Sequence, residues 1–166
     1  RREIASDSVY GQVHFFDSEE EMLGADSIAA IASEGRNDES LDQTESIVAA
    51  GKHVWYDKPA GDNWVQWQKV VAEAKAQDLQ VQLGFMLRYH PGFSQISEWA
   101  RAGFFGNVYA IRAHMSTHIR PEARAVIAAG HYGGIYFDLA GHMLDQVVWI
   151  LGRPERVTTF LRNDAG

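Results

Sequence analysis

The sequence predicts an α/β protein whose first half forms a parallel sheet, and three observations carry that expectation. Residues 27–86 alternate strand, helix, strand, helix, strand, an order that joins parallel strands through right-handed crossovers. After Arg88 the pattern changes to helices on either side of one alternating stretch, which places a domain boundary near Leu87–His90. With 166 residues, 46% hydrophobic and 11% aromatic, the chain can bury a real core in one domain or two small ones.

Taken in order, residues 1–17 give a helix end, Gly11 and a short apolar piece from Val13 to Phe16. Asp17-Ser18-Glu19-Glu20-Glu21-Met22-Leu23 reads as a capped helical turn, with its acids where the helix dipole favours them. Ile28 to Ala32 is a short apolar run of the kind found in a buried parallel strand, and the polar loop Ser33 to Asn37 ends it. A helix from about Glu39 to Ala50 buries Leu41, Ile47 and Val48 and stops at Gly51. His53-Val54-Trp55-Tyr56 is the next strand, closed by Asp57-Lys58-Pro59. A helix from about Asn63 to Ala76 then turns Trp64, Trp67, Val70, Val71 and Ala74 to one side, and Gln80 to Phe85 forms a third strand. Beyond the boundary, Pro91 to Gly103 reads as a helix with Phe93, Ile96 and Trp99 inward. Val108 to Met115 reads as a strand, Pro121 to Ala129 as a short helix, and Val157 to Leu161 as the start of a strand.

Composition excludes several classes of partner. A formal net charge of −7 argues against nucleic acid. No apolar run approaches membrane-spanning length. The absence of cysteine removes disulfides, thiolate metal sites and cysteine nucleophiles, and it fits a reducing compartment, so the expected location is the cytoplasm.

One stretch carries the strongest chemical signal: Gly133-Gly134-Ile135-Tyr136-Phe137-Asp138-Leu139-Ala140-Gly141-His142-Met143-Leu144-Asp145-Gln146. Two glycines lead into a helix running to about Leu151. Asp138, His142 and Asp145 then fall on one face, while Leu139, Met143, Val147 and Ile150 repeat on another that can pack inward. Three readings stand at this level. The polar set lines a site, or it is a solvated pair contributing a few tenths of a kcal/mol, or it ligates a metal. His114, His118 and His131 keep the metal reading in view.

In an open parallel sheet, ligands bind beyond the carboxyl ends of the strands. Three loops fall there, Ser33 to Asn37, Asp57 to Pro59 and Phe85 to Tyr89, and they bring Ser33, Arg36, Asn37, Lys58, Arg88 and Tyr89 to one rim. Lys58, set between a strand end and a proline, has little freedom to leave it.

These pieces resemble a known family. Gly51-Lys52-His53-Val54 followed by Asp57-Lys58-Pro59 is similar to the strand-and-lysine signature of the glucose–fructose oxidoreductase/inositol dehydrogenase (Gfo/Idh/MocA) family, which usually has Glu at the position of Asp57. Gly84-Phe85-Met86-Leu87-Arg88-Tyr89 with Pro91 resembles the segment that leaves its cofactor domain. Gly103 to Gly106 with Val108 resembles the entry to its second domain. Gly133-Gly134, Asp138, His142 and Asp145, with Trp149 and Gly152-Arg153-Pro154, resemble its catalytic helix.

The resemblance implies an oxidoreductase that uses NAD or NADP on a sugar, cyclitol or related polyol. Its fold would be a Rossmann-type parallel sheet, lacking the first βαβ here, over residues 1–87. The start of an α+β domain with an open, mainly antiparallel sheet would follow over residues 88–166, and that sheet would join subunits into a homo-oligomer. By position, Lys58 corresponds to the lysine between nicotinamide and substrate, Asp138 and His142 to the acid/base pair, Asp145 to a further substrate-side carboxylate, and Arg88 to a site-lining cation. Ser33, Gly35, Asn37, Asp57, Lys58, Pro59 and Arg88 are the residues expected on the cofactor; Lys58, Arg88, Asp138, His142 and Asp145 are those expected on the substrate.

The chemistry follows from these residue types. Oxidising a secondary alcohol removes a hydroxyl proton as hydride leaves the same carbon. Histidine titrates near neutrality and can take the proton, a carboxylate one turn earlier can orient its ring, and a lysine can stabilise developing alkoxide charge. The departures are equally specific. No G-x-G-x-x-G occurs in the 166 residues, so the chain is expected to be an incomplete piece of such an enzyme that binds the dinucleotide poorly by itself. The family's usual Thr-Pro-Asn after the strand is Ser33-Glu34-Gly35-Arg36-Asn37 here. The alternative reading is a non-catalytic sugar-binding or assembly module derived from the same family.

Overall fold

The computed structural model describes residues 11, 13–118, 120–121, 134–160 and 162, with only the backbone of 134–136. They form two compact units divided after Leu83, slightly ahead of the boundary expected after Leu87.

In the first unit, α1 (Glu19–Leu23) starts at Ser18, whose Oγ accepts from the Glu21 amide at 3.1 Å, and three glutamates occupy its first turn. Strands β1 (Ala30–Ser33), β2 (His53–Tyr56) and β3 (Val81–Leu83) form one parallel sheet in that order, linked by α2 (Ser40–Ala49) and α3 (Trp64–Ala76). Ile31 pairs with Val54, and Val54 with Val81. The expected strand–helix alternation is therefore present, although β3 is shorter than the Gln80–Phe85 stretch that suggested it.

The core is Ile31, Leu41, Ile47, Val48, Val54, Tyr56, Val70 and Ala74. One sheet face supplies it, because α2 and α3 carry their apolar stripes to that face. Ala30, Ala32 and Trp55 point the other way and are exposed, so the Ile28–Ala32 run is not buried throughout as expected. On α3, Val70 and Ala74 are buried and Trp67 packs beside them, whereas Trp64 and Val71 are exposed. Val71 lies about 100° around the helix from Val70, and Trp64 stands in the first turn ahead of the stripe.

Polar side chains tie the two helices together. Gln66 Nε2 donates to Asp42 at 2.7 Å and to Glu45 at 2.8 Å, and Lys69 Nζ reaches Glu45 at 2.6 Å. Asn63 caps α3 by accepting from the Gln66 amide at 3.1 Å. Gly51 ends α2 with φ +72°, a left-handed setting that suits glycine. The next residue, Lys52, is buried along its stem and donates to the Ala25 carbonyl at 2.8 Å.

In the second unit, a 3-10 turn (Met86–Tyr89) precedes α4 (Pro91–Arg101) and α5 (Gly134–Leu151). Pro91 sits in the first turn of α4, where its missing amide costs nothing, and His90 Nδ1 accepts from the Gly92 amide at 3.2 Å.

Two expectations are corrected here. Val108 to Met115 and Val157 to Phe160 form no strand, and no sheet occurs among the described residues of this unit, so the open antiparallel sheet is not observed there. A strand exists only as part of a ladder, and alternating side chains cannot supply the missing pairing partner. Ile96 and Trp99 are not buried; Ile96 joins Phe93, Phe105, Met143, Val147 and Ile150 along a groove of about 400 Å³, and Trp99 packs on Phe104 and Phe105. Apart from Pro121, the helix expected over Pro121–Ala129 and the residue His131 lie outside the described residues.

Candidate active-site elements

The carboxyl ends of β1 and β2 deliver the two loops of the first unit that the sequence singles out. Ser33 closes β1, and its hydroxyl donates to Gln43 Oε1 at 2.9 Å. Gly35 lies so close to α2 that a Cβ there would stand 2.8 Å from the same Gln43 oxygen. Arg36 turns away into ion pairs with Asp38 at 2.8 Å and Glu39 at 3.5 Å, and Ser40 donates to the Asn37 carbonyl at 3.0 Å. The loop is thus pinned to the start of α2, with Asn37 half-buried.

The second loop follows Tyr56, whose ring is fully buried and whose hydroxyl donates to the Ala60 carbonyl at 3.4 Å. Burial pushes the Tyr56 phenol above its ordinary value, so it stays a neutral anchor. The Asp57 amide reaches back to the Ser33 carbonyl at 3.3 Å, which brings the two loops side by side. Lys58 is half-buried, and the Lys58–Pro59 bond is cis with Pro59 buried. Gly61 then passes over Leu41 with φ +91°, closing the loop onto α2. Ser33, Gly35, Asn37, Asp57, Lys58 and Pro59 therefore lie in two adjacent loops at the carboxyl end of the parallel sheet.

In the second unit, α5 carries the expected polar stripe. Asp138 is half-buried and His142 is 4% exposed. The ring of Phe85 meets the His142 imidazole edge to face, with centroids 6.4 Å apart. Phe85 also lies over Gly141, where a Cβ would come within 3.6 Å of the ring.

One turn later the Arg88 guanidinium grips Asp145 with two bonds, Nε to Oδ2 at 2.8 Å and Nη2 to Oδ1 at 2.6 Å. Hydrogen bonding to Asp145 holds Arg88 further above its already high ordinary pKa, so it is a permanent cation. Its Cζ stands 4.2 Å from the centre of the Trp149 ring, and that of Arg101, from the end of α4, stands 3.9 Å from it. Arg101 Nη2 also donates to the Trp149 carbonyl at 3.3 Å.

The structure thus groups Ser33, Gly35, Asn37, Asp57, Lys58 and Pro59 in one unit, and Arg88, Asp138, His142 and Asp145 in the other. Sequence reading missed Phe85 as a wall for His142, and Arg101 as a partner of Trp149. A signal for the first existed: Phe85 and Arg88 are three apart, as are His142 and Asp145, so two matched pairs face each other. Arg101 offered none, since its partner lies 48 residues away. His114 lines the apolar groove and His118 is exposed. Among the described residues no group of three or more His, Cys, Asp or Glu is placed to hold a metal ion, and no helix is long and apolar enough to cross a membrane.

Comparison with known proteins supplies the frame for these elements. Residues 4–85 match an oxidoreductase family described as having an NAD-binding Rossmann fold, GFO_IDH_MocA. Residues 93–166 match the GFO/IDH/MocA C-terminal domain. The rhizopine catabolism protein MocA of Rhizobium meliloti is 26% identical over 149 residues, covering 88% of this chain and 46% of the relative. Myo-inositol 2-dehydrogenase of Thermotoga maritima is 26% identical over 112 residues, covering 66% of this chain and 33% of the relative. The crystal structure of scyllo-inositol dehydrogenase from Lactobacillus casei, with bound NAD(H) and scyllo-inositol, superposes with a TM-score of 0.71 at 26% identity over 82% of this chain and 41% of that one. The chain spans less than half the length of these relatives.

Proposed function

Because the chain belongs to the Gfo/Idh/MocA oxidoreductase family, we propose that it carries part of the active site of an enzyme using NAD or NADP to interconvert a polyol and its ketone. The observation that supports this best is the order of the two family matches, one on the parallel sheet and one on the unit holding α5. This carboxyl end of the sheet suits the nicotinamide end of a dinucleotide. Its loops are short and pinned; Ser33, Gly35, Asn37, Asp57 and Lys58 offer backbone and side-chain polar groups there, and Pro59, which has no donor, shapes the turn. No Gly-x-Gly-x-x-Gly turn in these 166 residues is available for the pyrophosphate.

When bound, the nicotinamide supplies an acceptor for the hydride leaving the carbinol carbon. The protein residues handle the proton and the charge. His142 takes the hydroxyl proton on its imidazole as the C–O bond gains double-bond character, and returns it in the reverse reaction. Its burial beside Phe85 keeps bulk water from competing for that proton. Asp138, one helical turn earlier, orients the ring and stabilises the imidazolium. The Lys58 ammonium donates to the substrate oxygen and offsets developing negative charge. Arg88 and Asp145, which the resemblance puts on the ligand, hold each other by two bonds.

The substrate class is a sugar or cyclitol, in line with the inositol dehydrogenases among its relatives. The test follows NADH and NADPH formation by the full-length protein with myo-inositol, scyllo-inositol and a panel of aldoses. His142→Ala is expected to lower kcat by about 10²- to 10⁴-fold, the usual contribution of a general acid–base. Unchanged turnover in that variant, or no cofactor-linked turnover of any polyol, overturns the reading.

A further inference from the structure

Four residues of one α5 stripe, Asp138, His142, Asp145 and Trp149, are spaced four, three and four apart. That repeat keeps one face of a helix turned in a single direction. The segment from Phe85 to Arg101 meets this face at three successive levels. Phe85 touches Gly141 and His142, Arg88 holds Asp145 by two bonds, and both Arg88 and Arg101 lie against the Trp149 ring.

A two-bond guanidinium–carboxylate pair is planar and directional, so it resists rotation of the helix about its axis in a way that apolar contact cannot. Geometry also limits what else the pair can do. Asp145 is nearly buried, with 7% of its side chain exposed, and each of its oxygens already accepts from Arg88. Two guanidinium groups share one indole, an arrangement of like charges that the Asp145 carboxylate offsets.

We propose that Arg88 and Asp145 are positioning residues: the pair, backed by Trp149 and Arg101, fixes the rotation of α5 and thereby the setting of the His142 imidazole. A substrate hydroxyl is then met by His142 and Asp138, while Asp145 acts through the helix rather than on the ligand. The kinetic consequence rests on the oxidoreductase reading; the geometric one stands without it.

The experiment pairs Arg88→Lys with Asp145→Asn and the double variant. Arg88→Lys keeps both charges and removes the fork, so it separates geometry from electrostatics. The readout is the His142 ring ¹³C–¹H signal, identified by its loss in His142→Asn, with His53 of the first unit as the internal control. Both single variants are expected to move the His142 signal and leave His53 in place, and the double variant is expected to move it no further than the larger single shift. On a polyol, Arg88→Lys is expected to lower kcat by about 10- to 100-fold with KM within about twofold, since a small misplacement of a catalytic group costs that much. A His142 signal unmoved in Arg88→Lys, or single shifts that add in the double variant, overturns the proposal. A wild-type protein that turns over no polyol removes the oxidoreductase reading alone, because the ring signals decide on the pair regardless.

Discussion

Gly61→Ala tests whether the loop bearing Lys58 is held in place by close packing. Gly61 has φ +91°, and a Cβ added there would lie 2.8 Å from both Cβ and Cδ2 of Leu41, which is 5% exposed in the core. Two costs arise. A left-handed backbone setting costs a residue with a Cβ about 1–2 kcal/mol. Forcing an extra methyl against a packed core side chain costs about 1–3 kcal/mol more. The variant is therefore expected to lose about 2–5 kcal/mol.

Leu41→Ala alone is expected to cost about 2–5 kcal/mol through the cavity it leaves. In that background the contact with Cδ2 is gone while the one with Cβ at 2.8 Å stays, so Gly61→Ala keeps its backbone share and part of the clash. Because only the part of the clash beyond Cβ is relieved, the cycle should show a coupling of about 1 kcal/mol. Urea unfolding followed by circular dichroism and by tryptophan fluorescence measures each corner. Costs for the two single variants that add within about 0.5 kcal/mol would refute the packing argument. A Gly61→Ala cost below about 1 kcal/mol would refute the backbone argument as well.

Three further outcomes are expected. Glu45 is held below the ordinary glutamate value chiefly by its hydrogen bond from Lys69, with Gln66 assisting. A carboxylate so lowered contributes stability that is present above its unfolded-state pKa and is lost as pH falls through the folded one. Lys69→Met should therefore raise the Glu45 titration midpoint seen by carboxyl ¹³C NMR, and an unmoved midpoint would discard the bridge. Asn63→Ala should destabilise α3 by about 1 kcal/mol in urea unfolding, since it removes the cap on the Gln66 amide, whereas Asn63→Asp should retain it. Ile47→Val, at a position 3% exposed, should cost about 0.5–1.5 kcal/mol, and a loss below that range would place Ile47 outside the core.

What the sequence revealed, and what it did not, follows one physical division. The alternation over 27–86 was legible because each strand there has a neighbour within the same stretch, so local pattern and long-range pairing agree. The α5 stripe was legible for a related reason, since Asp138, His142 and Asp145 are brought to one face by helix geometry alone. Val108 to Met115 misled because alternation states only that a strand would have two different faces, and pairing must come from elsewhere. Trp64 and Ile96 misled because a helical stripe predicts direction, while burial depends on what the stripe meets. The site divides in the same way. Lys58 and His142 stood out by residue type and local context, whereas the engagement of Arg88 with Asp145 spans 57 residues and could only be seen folded.

That engagement also bears on why the pair is there at all. A buried carboxylate and a half-buried guanidinium give up hydration that their mutual attraction only partly restores, and an apolar pair of similar volume often stabilises a protein as well or better. Stability alone therefore explains the Arg88–Asp145 contact poorly. Its distinguishing property is direction: two parallel bonds admit one relative orientation, while the apolar contacts on the opposite side of α5, around Met143, Val147 and Ile150, line an open groove and admit several. The helix thus has a loosely defined face and a rigidly defined one, and His142 lies on the rigid face one turn from the fork. In the proposed reading His142 is a general base, which must present its nitrogen within a fraction of an ångström of the proton it takes, and the placement of the ion pair suits that demand better than it suits any demand of folding.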